Sequence, residues 1–185
     1  MKKANKALLL VLCAILLVAG SIMGTLAYLT STDDVTNTFT AGNVTIKLEE
    51  YEVNSQTGLK TSDVVTGLTD LELVPGREIQ KNPFITVDGS SETCYLFVKI
   101  ENKVSEVVTI GSMDGWTAMD DGYFKYNSTV DAGTVVNIFE SITCNTNADL
   151  SKVTASANSI VITAYAVQAE TFATADAAWE ATFGA

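Results

Sequence analysis

The residues of this sequence that could do chemistry are acidic pairs, clustered aromatic rings and two cysteines. Asp33-Asp34 and Asp120-Asp121 carry the oxygen ligands that calcium prefers, yet neither pair follows the spaced D-x-[DN]-x-[DN]-G pattern of a calcium loop. Both pairs stand beside turn residues, as solvated loop carboxylates do. The chain has no histidine, so the commonest general base and the commonest metal ligand are both missing. We therefore expect no metal site and no cofactor.

The motifs of well-known catalytic sites are missing as well. Without histidine there is no HExxH zinc site and no Ser-His-Asp triad, and the sequence contains neither a GxxxxGK[ST] loop nor a GxGxxG fingerprint. A pair of carboxylates can hydrolyse a glycoside, but among 22 Asp and Glu residues some pair will always have a suggestive spacing. The sequence predicts that the protein is not an enzyme.

Aromatic residues and cysteines offer binding or covalent linkage instead. Four aromatic residues cluster on one predicted hairpin: Trp116, Tyr123, Phe124 and Tyr126. Such rings either stack on sugars at a binding surface or fill the core of a two-layer sheet. Cys94 and Cys144 are the only cysteines beyond residue 27. In an oxidising compartment they would form one disulfide, and otherwise they would be two buried thiols, so both alternatives stay open.

Residues 1–27 have the pattern of a secretory signal peptide. A cationic head, MKKANK, precedes the apolar run ALLLVLCAILLVAG, and Thr25 and Ala27 fit a small-x-small cleavage site with the cut between Ala27 and Tyr28. The alternative is an uncleaved anchor, since residues 7–29 are uncharged and long enough to span a bilayer. Three of the 11 cations and none of the 22 acids precede Tyr28, so cleavage leaves a formal charge of −14. We therefore expect no nucleic-acid partner.

The elements that must position these residues read as β-strands. Alternating apolar and polar residues mark NVTIKLE as a half-buried strand, and PFITV, CYLFVKIEN and TVVNIFESI as further strands. SIVITAYAVQ is apolar on both faces, which predicts a central strand. Pro75-Gly76 suits a type II turn, and Asp121-Gly122 suits the turn of a hairpin over residues 113–126. Only TADAAWEATFGA is helical. We predict an all-β fold, an antiparallel β-sandwich that is jelly-roll-like with a short C-terminal helix, as a single domain over residues 28–185.

The segment that the cut would free, YLTSTDDVTNTFT, is β-prone and has no hairpin turn to tie it back. Its larger apolar residues are Tyr28, Leu29, Val35 and Phe39. A loose strand of this kind can add to the sheet of the next copy, and a head-to-tail contact that does not close builds a fibre. Cleavage would then trigger assembly outside the cell. The alternative is a frayed terminus or an ordinary first strand.

Several blocks resemble a known family. GTLAYLTSTDDVTNTFTAGNVTI resembles the opening of exported bacterial proteins of the TasA/camelysin family, and LVPGREIQKNPFITVD, CYLFVKIEN and ITAYAVQAETF followed by DAAW are similar to later blocks. The resemblance implies a jelly-roll-like sandwich, and a signal peptide cut between Ala27 and Tyr28 by a dedicated ER-type signal peptidase. It also implies a flexible donor-strand segment over residues 28–38. Metalloprotease activity, described for camelysin-like members, is not carried over because the chain has no histidine and no zinc motif.

The function that the resemblance implies is a secreted structural protein. Its copies would form extracellular biofilm-matrix fibres by N-terminal donor-strand exchange, in the matrix or on the surface of a Gram-positive bacterium. The partners would be other copies of the chain, the signal peptidase during export, and other matrix proteins or polysaccharide. The alternative is a monomeric cell-surface or carbohydrate-binding sandwich module that uses the aromatic hairpin with Trp116, Tyr123 and Tyr126.

Overall fold

The computed structural model of the chain describes residues 30–31, 35–41, 43–68, 71–153 and 159–184. These residues form strands, two 3₁₀ turns and one α-helix. The strands are β1 (Thr30–Ser31), β2 (Val35–Ala41), β3 (Ile46–Val53), β4 (Lys60–Val65), β5 (Leu71–Glu72), β6 (Glu78–Ile79), β7 (Pro83–Val87), β8 (Cys94–Asn102), β9 (Val108–Ile110), β10 (Trp116–Ala118), β11 (Tyr123–Tyr126), β12 (Val135–Asn137), β13 (Ile142–Cys144) and β14 (Ile160–Gln168). The helix is α1 (Ala175–Phe183), and the 3₁₀ turns are Asp120–Gly122 and Leu150–Lys152.

Two larger sheets make up the sandwich. One has the strand order β10-β11-β8-β14-β2 and the other has the order β12-β7-β3-β4, with smaller sheets β6-β13-β9 and β1-β5 beside them. Apolar side chains of both large sheets meet in one core, where Leu48 and Ile85 join Leu96, Val98 and Ile162. The predicted all-β sandwich with a short C-terminal helix is therefore confirmed. The pairing is antiparallel except between β2 and β14, which run parallel.

The strands follow the alternation of the sequence. In β3 the side chains of Ile46 and Leu48 are buried while Lys47 between them is exposed, because successive side chains of a strand point to opposite faces. The predicted type II turn is also present: Gly76 has φ +81°, and the Arg77 N–H donates to the Val74 carbonyl at 2.9 Å. Glycine adopts that left-handed conformation without a steric cost.

Helix α1 covers the outer face of the five-stranded sheet. It begins after Thr174, whose hydroxyl oxygen accepts the Ala177 N–H at 3.2 Å and so caps a free donor of the first turn. The Trp179 ring packs on the Phe97 ring with centroids 4.9 Å apart, and Ala178 is fully buried. The side of the helix that carries Ala178 and Trp179 is thus the side that packs on the sheet. This second, smaller core explains why β14 and β8 are apolar on both faces.

An ion pair lies inside the sandwich. The Lys81 ammonium is 2.6 Å from one Glu50 carboxylate oxygen, and both side chains are fully buried. The other Glu50 oxygen accepts the Leu68 backbone N–H at 2.8 Å. Removing two charges from water is costly unless they are paired and hydrogen-bonded, as they are here. The pair joins β3, the start of β7 and the segment that leads into β5.

We expect Lys81→Met to lower the free energy of unfolding by about 3–5 kcal/mol, because it leaves the Glu50 charge in the core without the ammonium that faces it. The double variant Glu50→Met/Lys81→Met should be clearly more stable than Lys81→Met alone. Lys47→Met, which removes a mostly exposed partner of Glu49, serves as the control and should cost less than about 1 kcal/mol. Urea unfolding measures all three; equal losses in the single and double variants would contradict this role of the pair.

Candidate functional site

The candidate site is the edge of the five-stranded sheet, where the N-terminal strand β2 lies on β14. The two strands run parallel, with Phe39 opposite Tyr165 and Ala41 opposite Val167. Within the described residues β2 has no strand on its other side, so it is the edge strand of this sheet. An edge strand is held by backbone hydrogen bonds to a single neighbour, and its removal uncovers a new edge.

Strand β14 is held in the sandwich by contacts other than those with β2. All nine of its residues pair with β8 on the other side, from Ile160 opposite Asn102 to Gln168 opposite Cys94. Its inward side chains, including Ile162 and Ala164, are fully buried. The row of backbone groups that faces β2 therefore belongs to a strand that the core already fixes in place. Such a row is a rigid template for an incoming strand.

The local sequence explains why β2 forms a strand, and a short connection joins it to the rest of the protein. VTNTFTA alternates threonine with other residues and contains no glycine or proline, a composition typical of a strand. Only residues 42–45 separate the end of β2 from the start of β3 in the opposite sheet. The Asn43 N–H donates to the Gln168 side-chain oxygen at 3.2 Å, which ties this crossing to the end of β14.

A second contact of the N-terminal segment lies on a different sheet. Strand β1 pairs antiparallel with β5, with Thr30 opposite Glu72 and Ser31 opposite Leu71. The Arg77 guanidinium donates to the Glu72 carbonyl oxygen and, at 3.0 Å, to the Gln56 carbonyl oxygen. The backbone of β5 is therefore held by a side chain as well as by its strand partner.

The predicted donor-strand residues are divided between described and undescribed parts of the chain. Val35 and Phe39 lie on β2, opposite Ile162 and Tyr165. The predicted flexible segment, residues 28–38, overlaps β1 and the start of β2. Ala27 and Tyr28 at the predicted cut, and Leu29, lie outside the residues that the structure describes.

The aromatic residues of the predicted hairpin do not share one surface. Trp116 is 8% exposed, its indole N–H donates to the Asn137 carbonyl at 2.8 Å, and its ring meets that of Tyr126 edge-on at 5.2 Å. Tyr123 lies on the other face of the sheet, where its ring centroid is 4.8 Å from that of Trp179 under helix α1. The rings thus pack in two cores, and Trp116 has little surface left for a sugar.

The acidic pairs do not form a metal site in the described part of the chain. Asp120 and Asp121 are exposed in the 3₁₀ turn after β10 and line an open groove of about 710 Å³ beside α1. Among the described residues no three His, Cys, Asp or Glu side chains come close enough together to hold an ion. The pair Asp33-Asp34 falls outside the described residues.

Both cysteines are buried free thiols in the structure. Cys94 begins β8 and Cys144 ends β13, so they belong to different sheets. Burial, with a smaller contribution from the Asp131 carboxylate, raises the pKa of Cys94 to about 11. Burial also raises the pKa of Cys144, partly offset by the Arg77 guanidinium. Because the thiolate is the reactive form, both side chains should be unreactive in the folded protein.

The sequence predicts β14 as a central strand, from its apolar character on both faces, but it does not indicate the roles of Arg77 and Gln168. Arg77 follows a turn and Gln168 ends a strand, and polar side chains at such positions usually lie in solvent. The Gln168 bond to Asn43 joins residues 125 positions apart, and the Arg77 bond to the Gln56 carbonyl joins residues 21 positions apart, so no local pattern predicts either one.

Thiol titration of the purified protein tests the state of the cysteines. We expect Cys94 and Cys144 to resist a thiol reagent at pH 8 in the folded protein, and both to react at once in guanidinium without reductant. Because the pKa of each thiol is raised in the folded protein, ionisation and reactivity should appear only above pH 8, or on unfolding. Two thiols that become reactive in guanidinium only after a reductant is added would show a disulfide instead.

Comparison with known proteins adds no assignment. No protein-family model, no curated protein and no solved structure matches the chain. Among the described residues no helix is long and apolar enough to cross a membrane. A function for this chain must therefore be argued from its own geometry, and the feature to explain is the N-terminal strand at the sheet edge.

Proposed function

We propose that the protein is a secreted structural protein whose copies assemble into extracellular matrix fibres by exchanging their N-terminal arm, here defined as strands β1 and β2. The single observation that carries the proposal is the position of β2. Among the described strands it is hydrogen-bonded to a single neighbour, β14, which is itself paired along its whole length with β8. The arm of a second copy can make the same backbone bonds to β14 as the chain's own arm does.

The energetics of β2 favour exchange over permanent docking. Parallel pairing is slightly less stable per residue than antiparallel pairing. The ladder between β2 and β14 is also irregular, since Val35 faces Ile162 but Thr38 faces Ala164, which leaves β2 with one additional residue. Because exchange replaces each lost bond with an identical one, the protein concentration decides between the closed monomer and the assembled form.

The geometry of the exchange makes it open-ended. The donor strand and the acceptor edge are different surfaces of the same copy, so an arm placed on the next β14 leaves one arm and one acceptor unused at the two ends. A chain of copies then grows head to tail. The self-paired arm is the resting state of the monomer in this scheme.

The remaining parts of the proposal rest on the sequence. The N-terminal pattern supports export and a cut between Ala27 and Tyr28 by a signal peptidase, which would keep the arm at the membrane until release. The lack of a histidine supports a structural rather than an enzymatic role. Other matrix proteins or polysaccharide are further partners, while the acidic mature chain disfavours nucleic acid.

Truncation tests the proposal. Protein that begins at Tyr28 should form filaments or large species as its concentration rises, seen by electron microscopy and size-exclusion chromatography. Protein that begins at Asn43 lacks β2, so it should be less stable and should form no filaments.

A peptide of residues 28–42 should bind the truncated protein, restore its stability, and stop filament growth of the longer protein.

A matched peptide provides the control. Thr38→Pro/Phe39→Pro in the same peptide removes two successive backbone donors, one of which must face β14 because successive N–H groups of a strand point to opposite sides, so this peptide should neither bind nor inhibit. Strand exchange would be wrong if the protein from Tyr28 stayed monomeric at every concentration and the truncated protein were equally stable and indifferent to both peptides.

A further inference from the structure

We infer that the acceptor copy receives an incoming arm at two places, and that the second place, strand β5 with Arg77, sets the register of the arm on β14. We call β5 and Arg77 the β5 clamp. This inference rests on the proposed function, because it describes how the partner, a second copy of this chain, is recognised. The observation behind it is that the arm has two strands, one of two residues and one of seven, which pair with two different sheets.

Strand β2 alone specifies its register weakly. Threonine occupies positions 36, 38 and 40, so a slip of two residues superposes threonine on threonine and keeps the alternation. The irregular stretch between Ile162 and Ala164 already accommodates an additional residue. Parallel pairing at an edge therefore allows neighbouring registers of similar energy. A fibre whose joints slip would be uneven, so a second contact is needed.

Strand β5 has the properties of a prepared acceptor. It is two residues long, and within the described part of the chain its only strand partner is β1. So short a strand is not stable by itself, and other contacts must hold it. Leu71 is 2% exposed and fixes β5 to the core, while the Glu50 carboxylate holds the nearby Leu68 N–H at 2.8 Å.

Arg77 is the residue that fixes the backbone of β5. Its guanidinium donates to the Glu72 carbonyl and to the Gln56 carbonyl, and its ion pair with the Glu72 carboxylate is 3.7 Å long. Its Nε–H is buried and has no acceptor among the described residues, so one donor remains beside β5. A planar guanidinium that holds two carbonyls sets a geometry that a lysine cannot reproduce.

The two contacts together select one register. Only residues 32–34 separate β1 from β2, so the distance along the arm between its two strands is fixed. When Thr30 and Ser31 pair with Glu72 and Leu71, a two-residue slip of β2 on β14 would need the connecting residues to lengthen or fold back. Arg77 thus acts as a positioning residue for the arm, through β5.

Site-specific photo-cross-linking measures the register directly. We would place p-benzoyl-phenylalanine at position 39 in the chain from Tyr28 and map the cross-linked peptides by mass spectrometry. The unaltered clamp should give one site on β14, at Tyr165. Arg77→Met keeps the aliphatic stem but removes the donors, so cross-links should spread to positions two residues away, at Thr163 and Val167. Lys103→Met, an exposed cation distant in sequence, should keep the single site.

A second variant covers the case in which Arg77→Met fails to fold. Ser31→Pro acts on the arm instead of the body, and it should give the same spread by breaking the β1–β5 pair. A single site at Tyr165 in both variants would overturn the inference. The same cross-links can be mapped in the monomer, where both cross-linked peptides come from one chain. If no filaments form but the monomer map responds to both variants, the proposed assembly fails while the register-setting clamp stands.

Discussion

The structure depends on the backbone hydrogen bonds along one edge of β14. Strand β8 on one side and the cores on both faces fix this strand, so the row of donors and acceptors on its other side is rigid and must be satisfied. Strand β2, from the N-terminal segment, makes these hydrogen bonds to β14. Among the described residues β2 has no other strand neighbour. The parallel pairing of β2 with β14 therefore completes this sheet in the monomer, and it is also the contact that the proposed assembly would exchange.

Polar contacts of the sandwich interior support strand β5 and the segment that leads into it. Lys81 holds the Glu50 carboxylate, which holds the Leu68 backbone, and Arg77 holds the neighbouring β5 backbone. A buried ion pair adds little net stability over an apolar core, and we attribute to these contacts the role of fixing the geometry of the backbone that they bind. Here they position the short strand on which the tip of the arm rests.

Strand periodicity predicts much of the fold, and it also predicts which way the Glu50 side chain points. Ile46, Leu48 and Glu50 follow each other at intervals of two, so the inward direction of Glu50 could be read from the sequence, whereas the position of Lys81 between two strands gives no such sign. Tyr123 and Tyr126 are three residues apart, which places them on opposite faces of a strand and argues against one aromatic platform. The parallel pairing of β2 with β14 could not be predicted, because it joins residues more than 120 positions apart through backbone bonds that every sequence can make.

Mixed isotope labelling tests strand exchange most directly. Filaments grown from equal amounts of ¹⁵N-labelled and unlabelled chain, each with a photo-cross-linker at position 39, report which copy supplies the strand next to Tyr165. Strand exchange predicts cross-linked peptide pairs in which one peptide is labelled and the other is not, at the frequency of random mixing. If every cross-linked pair carried the same label on both peptides, β2 would belong to its own chain within the filament, and assembly by exchange of the arm would be contradicted.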